Sequence, residues 1–243
     1  MFSHDDDKLI YRYDAETLQI QSWGPNAFRI RAAKQHTLPV EDWALSDTPP
    51  STPLAQFVTS QSDGQKITNG NITATVTKAG KVTIINTTTK KVILEEFVRT
   101  RKDVLDPMAS ALEVEAREFK PHPGSPNYHL TYRLTSLSRE EKIYGMGQYQ
   151  QPYLNIKGCD LELAQRNSQA SVPFLVSSLG YGLLWNNPGV GRAVLGMNVM
   201  SFEAYSTKVL DIWVVIGDTP SEIVGRYANV TGKVSTRDYA FCN

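Results

Sequence analysis

Cysteine is scarce in this chain: two residues in 243, Cys159 and Cys242, far apart and without a CxxC partner. That count and spacing exclude, in practice, a disulfide scaffold and a cysteine-based zinc site. Histidine is scarce too. His4, His36, His122 and His129 form no HExxH or His-x-His pair, so a histidine metal site or triad has no support. Each is expected to be an exposed or strand-face residue. An excess of charge is missing as well, since 25 Lys and Arg balance 25 Asp and Glu. Nucleic acid and anionic membranes both favour a basic surplus, so neither is expected as a partner. The longest apolar run near the end, Ile212-Trp213-Val214-Val215-Ile216, is strand-sized against the ~18–20 residues a membrane-spanning helix needs.

Other signatures are absent. No Gly-x4-Gly-Lys phosphate loop and no Gly-x-Ser-x-Gly elbow occur, and Gly145-Met146-Gly147 lacks the third glycine of a dinucleotide fingerprint. No cofactor and no metal are expected. Met1 to Lys8 is acidic, with neither a basic leader nor an apolar stretch. No secretory signal is read there, and a cytoplasmic location is expected, although a signal lost upstream would look the same. Three sequons begin at Asn71, Asn86 and Asn229; without a signal they are expected to be unused. What is present is a globular composition, 41 % apolar and 21 % charged, which excludes general disorder.

The first half reads as β. Period-two alternation runs through Leu9–Tyr13, Leu18–Gln21 and Ala27–Arg31, with turns at Asp14-Ala15-Glu16 and Gly24-Pro25-Asn26. Pro39, Pro49, Pro50 and Pro53 mark residues 36 to 56 as an irregular excursion. Strand signals resume at 65–67, 72–76, 82–85 and 91–94, separated by Asn69-Gly70, Lys78-Ala79-Gly80 and 86–90, which are hairpin spacings. Alternating runs follow at 111–119 and 128–134 around a turn-rich loop from Lys120 to Pro126. Glu113, Glu115 and Arg117 alternate, so one face of that strand is wet or meets a polar surface. Later strands are read at 174–177, 182–185, 199–205 and 209–216.

One helix has clear signals. Thr219 is a cap, Pro220 the first helical residue and Glu222 the third position after the cap. Ile223, Val224 and Tyr227 are expected on one side, with Gly232 as the stop. About a dozen strands and one late helix predict an all-β fold, a two-sheet antiparallel sandwich with one short C-terminal helix. The expected division is a sandwich over 1–217, then a helix and linker over 218–243.

Residues 143 to 190 carry the densest polar chemistry. Gln148, Gln150, Asn155, Asp160, Glu162, Gln165 and Asn167 are interleaved with Tyr149, Tyr153 and Trp185. Amides and carboxylates read sugar hydroxyls, and aromatic faces meet the C–H side of a sugar ring, so this composition suits carbohydrate contact. A polar loop between strands would have much the same composition. Asp160 and Glu162 are two apart and would share one face of a strand. Trp185 and Tyr181 occupy period-two positions in an apolar strand and read as core. Cys159 reads as a loop residue with a free thiol.

The order Tyr144-Gly-Met-Gly-Gln148, Leu154-Asn-Ile-Lys-Gly158, Gln165-Arg-Asn167, Pro173-Phe-Leu-Val-Ser-Ser178 and Gly180-Tyr-Gly-Leu-Leu-Trp-Asn-Asn187 resembles the N-terminal β-sandwich of glycoside hydrolase family 31. Within that family it is most similar to the α-xylosidases and related α-glucosidases. The turn Gly217-Asp-Thr-Pro220 and the helix ending Tyr227-Ala-Asn-Val-Thr-Gly-Lys233 extend the match, which runs from about residue 140 to 233. The resemblance implies a galactose-mutarotase-like sandwich, a loop of which helps wall the sugar pocket of a following (β/α)8 barrel. It implies Gln148, Asn155, Asp160, Glu162, Gln165 and Asn167 as candidates for that wall, and an α-linked glycoside or oligosaccharide as ligand. In the family a nucleophile and an acid/base aspartate lie in the barrel. A barrel needs ~250 residues, and ten follow Lys233 here, without the usual prolines. No catalytic residue is therefore expected within these residues, and no hydrolysis by them alone.

Three readings follow. The first is a glycosidase sandwich whose barrel lies elsewhere; its barrel-facing side should bind that barrel or self-associate. The second is a stand-alone carbohydrate-binding or interaction module. The third is an independent epimerase- or cyclase-type enzyme, disfavoured because aldose epimerisation uses His and Glu acid/base groups and the histidines lie outside the matching segment.

Overall fold

The computed structural model describes residues 1–5, 7–40, 43–46, 56–60, 64–99 and 114–233. Pro49, Pro50, Pro53, Glu113, Cys242 and the tail after Lys233 lie outside the described residues. Eighteen strands and one helix are present among them. The strands are β1 (Phe2–Asp5), β2 (Lys8–Tyr13), β3 (Glu16–Ser22), β4 (Ala27–Ala33), β5 (Gln56–Ser60), β6 (Gly64–Asn69), β7 (Ile72–Val76), β8 (Val82–Asn86) and β9 (Lys91–Glu95). They continue as β10 (Arg117–Pro121), β11 (Tyr128–Thr135), β12 (Ile143–Gln148), β13 (Asp160–Leu163), β14 (Ala170–Ser177), β15 (Tyr181–Trp185), β16 (Gly191–Leu195), β17 (Val199–Thr207) and β18 (Leu210–Ile216).

One sheet has eight strands in the order β1-β2-β3-β4-β18-β15-β14-β12. The expected second sheet is two five-stranded sheets, β10-β11-β17-β16-β13 and β5-β6-β7-β8-β9. They touch where Glu96, just past β9, bridges Leu134 of β11. A single apolar core draws on all three sheets, through residues such as Ile20, Ile30, Ile84, Leu130, Phe202 and Val214. The antiparallel sandwich of the sequence reading is therefore present, with its second layer divided.

The apolar run 212–216 is explained by burial on both faces. In β18, Leu210, Ile212, Val214 and Ile216 enter the shared core. Trp213 and Val215 face a second cluster with Phe174, Leu184, Ile223 and Val230. The helix α1 (Pro220–Thr231) covers that outer face. Its start follows the sequence: the Thr219 hydroxyl accepts from the Glu222 amide at 3.2 Å, and Gly232 closes the helix at φ 102°. The Glu222 carboxylate accepts from the amide of Asp218 at 2.9 Å. Ile223 is buried and Tyr227 half-buried, but Val224 is exposed, a correction to the expected helix face. Thr219→Ala should cost about 1 kcal/mol, the usual worth of an N-cap oxygen, read as a lowered urea midpoint at unchanged slope.

Two expectations are corrected. The strand ending at Phe119 runs on through Pro121, paired with Tyr128. The charged face, expected to be wet or to meet a polar surface, does both: Glu115 is exposed, and the largely covered Arg117 guanidinium meets Glu96 and Glu16. Burial holds the Glu96 carboxyl above its ordinary range, with Arg117 pulling it back. Finally β1, β5, β12 and β16, unread in the sequence, are strands.

Candidate functional site

β12 and β13 are the edge strands of different sheets, and the polar segment of the sequence occupies this rim. β12 is built around a kink. Gly145, Met146 and Gly147 have φ of 104°, 67° and 96°, and the register against β14 shifts between Gly145 and Gly147. Glycine tolerates these angles and a bulge uses them to redirect a strand. The kink turns Met146 into the core and leaves Gln148 exposed at the strand end.

The following loop straps the two layers. The Ile156 amide donates to the Ile143 carbonyl at 2.8 Å, and the Gly158 amide to that of Leu195 at 2.7 Å. Asn155 secures the strap, its side-chain oxygen accepting from the amides of Ile143 (3.0 Å) and Lys157 (3.2 Å). Beneath it, the buried Lys157 ammonium lies 2.6 Å from Glu141. Glu141 also accepts from the hydroxyls of Ser177 (2.5 Å) and Tyr181 (2.8 Å). Burial, reinforced by the Glu141 charge, pushes the Tyr181 phenol well up. Tyr181 and Trp185 are core residues, as expected, and Cys159 is a free thiol.

β13 presents Asp160 and Glu162 on its exposed face, each held by an arginine. Arg192 grips Asp160 with two nitrogens, one at 2.7 Å. Arg166 grips Glu162 at 2.8 and 2.6 Å. The Arg192 guanidinium holds the Asp160 carboxyl below its usual range. Carboxylates gripped in this way accept charge-assisted hydrogen bonds, and Asp160, held below its usual range, is not poised as a general acid. Charges along an edge strand also discourage edge-to-edge pairing.

The β13–β14 hairpin closes through a bridge between Arg166 and Gln169. Gln165 clamps its base, donating to the Ser171 carbonyl at 2.8 Å and accepting from its amide at 3.1 Å. Asn167 stands exposed at the tip. The six candidates therefore share one rim but differ in what is left to offer. Asn155 and Gln165 hold backbone, Asp160 and Glu162 hold arginines, and Gln148 and Asn167 make no side-chain hydrogen bond within the described residues.

A groove of about 640 Å³ runs beside the hairpin, lined by Gln165, Ser171, Trp43, Asn187, Val190 and Tyr227 among others. Of the six candidates only Gln165 reaches it. Sequence reasoning missed the two arginines. Arg166 sits between the two residues that drew attention, and Arg192 lies in a short alternating run that went unread. Trp43 falls in the proline-rich excursion, whose composition gives no sign of the groove. His4 and His36 are exposed, His122 is half-buried, and His129 on β11 faces Glu203 at 3.3 Å. Among the described residues no helix is long and apolar enough to cross a membrane.

An eight-stranded antiparallel sheet packed over two smaller ones, with a polar rim and one terminal helix, defines a sandwich of the galactose mutarotase type. The sequence model of the glycosyl hydrolase 31 N-terminal galactose mutarotase-like domain matches residues 17–191, and the chain belongs to that family. A family 31 glucosidase, ORF2, of Pseudescherichia vulneris is 42 % identical over 232 residues, 91 % of this chain and 42 % of that protein. Alpha-xylosidase A of Aspergillus niger is 25 % identical over 96 % of this chain and 32 % of its own length. The crystal structure of a GH31 alpha-xylosidase from a soil metagenome, complexed with xylose, superposes with a TM-score of 0.87 at 45 % identity. That match covers 96 % of this chain and 34 % of the xylosidase. The chain thus spans less than half the length of each.

Proposed function

We propose that this chain is the sandwich part of an α-glycosidase acting on α-xylosides or α-glucosides in the cytoplasm. In this reading 1–217 form the sandwich and 218–243 lead towards a catalytic (β/α)8 barrel. The rim of Gln148, Asn155, Asp160, Glu162, Gln165 and Asn167 helps wall the sugar pocket. The observation that carries the reading is the match to the xylose-bound xylosidase along almost the whole chain. The division of labour at the rim supports it. Two amides remain uncommitted, while both carboxylates of β13 are gripped by arginines, which suits hydroxyl recognition rather than bond cleavage.

The 243-residue chain should not turn over 4-nitrophenyl α-xyloside, and a rate above buffer removed by Glu162→Gln would overturn that. An antiserum raised against it should detect a native protein of roughly two to three times 27.1 kDa, because the chain spans 34–42 % of its relatives and a barrel adds ~250 residues. A native species of the chain's own mass would instead favour a stand-alone module.

A further inference from the structure

The hairpin between β13 and β14 crosses from one layer to the other, and side chains must fix its angle because the edges β12 and β13 belong to different sheets. Tyr149, the residue after β12, supplies a link. Its hydroxyl lies 3.1 Å from the Glu162 carbonyl and 3.0 Å from the Ser171 hydroxyl. A carbonyl can only accept, so the single phenolic proton goes to Glu162, and the Ser171 hydroxyl donates to the phenolic oxygen. The ring is half-buried and packs against the shared core. Ser171 is tied a second time through the Gln165 clamp. Three segments therefore converge at the hairpin base, and beyond that point stand only Arg166 to Gln169.

We propose that Tyr149 is a positioning residue: its hydroxyl latches the β13–β14 hairpin to the edge of the eight-stranded layer and sets where Asn167 and the Glu162–Arg166 pair stand. The consequence for sugar binding rests on the pocket-wall reading above; the latch itself does not.

Tyr149→Phe keeps the ring and removes one hydroxyl. In the 243-residue chain, hydrogen exchange at the amides of Arg166, Gln169 and Ser171 should accelerate about fivefold or more, while β18 exchanges as before. Ser171→Ala should do the same, and the double variant should add little to either. In the native enzyme carrying this sandwich, Tyr149→Phe should raise KM for an α-xyloside about fivefold with kcat within twofold. A general loss of fold would instead lower the active fraction, and with it kcat, at unchanged KM. Unchanged hairpin exchange in both single variants overturns the latch, as does acceleration spread evenly through β18. Faster hairpin exchange with an unchanged KM supports the latch and overturns the pocket-wall reading.

Discussion

Replacing Arg29 with methionine will destabilise the sandwich by about 3–5 kcal/mol at neutral pH, the loss seen when one member of a buried ion pair is removed. Arg29 and Asp211 are 1 % and 2 % exposed and meet through two contacts, 3.1 Å from Nε and 2.5 Å from Nη2. Asn186 donates to the same carboxylate at 2.9 Å, and the guanidinium lies 4.8 Å from the centre of the Trp23 ring. The pair sits between β4 and β18, the central strands of the larger sheet, where Trp213 already donates to the Trp23 carbonyl at 2.9 Å. Methionine fills much of the volume, so the loss comes from an anion left in a dry site rather than from a hole.

The pH dependence separates these causes. Burial already holds the Asp211 carboxyl above its ordinary range, and Arg29 pulls it back down. Without Arg29 the folded pKa climbs further above the unfolded value, about 3.9. A carboxyl raised on folding binds its proton more tightly in the folded state, so stability falls as pH rises from the unfolded value through the folded one. The deficit of the variant should therefore be smallest in acid and full at neutral pH. Urea denaturation of both proteins at pH 4 and pH 7 gives the comparison, and an equal deficit at the two would leave packing as the cause. Arg29→Met combined with Asp211→Leu should recover most of the loss, because an apolar pair of similar volume replaces a buried ion pair at little cost.

Which parts of this molecule were legible in its sequence follows from the range of the forces involved. β2, β3, β4, β7 and β8 alternate and are bounded by hairpin turns, so local pattern is enough. α1 carries its own cap, proline and glycine. β12 was missed because two glycines and a bulge break the alternation, and β16 because a five-residue strand beginning with glycine gives little pattern to read. The division of the second layer depends on which edges fail to pair, and nothing within a strand records that. At the rim, the polar residues were visible as a cluster, but their employment was not. Asp160 meets Arg192 across 32 positions and Tyr149 meets Ser171 across 22, and only the β13–β16 and β12–β14 registers bring them together.

Gly147→Ala is the second substitution expected to do large damage, about 3–4 kcal/mol from two sources. A side chain at φ 96° is strained by about 1–2 kcal/mol. The new methyl would also fall 2.1 Å from the Ala170 carbonyl oxygen and 2.6 Å from the Val172 amide, and forced overpacking adds about 1–3 kcal/mol. Both obstacles are backbone atoms of β14, so no rotamer change relieves them. The strand pair must separate, which loosens the Gln148–Ala170 register at the root of the hairpin. Gly124→Ala isolates the first source: its φ is 72° with no atom within 4 Å of the added methyl, and it should lose about 1 kcal/mol. Chemical denaturation of the two variants therefore measures the contact between β12 and β14 by difference. Equal losses would mean that β12 backs away from its partner without cost, and the kink would then be a property of the chain's own dihedrals rather than of the packing that surrounds it.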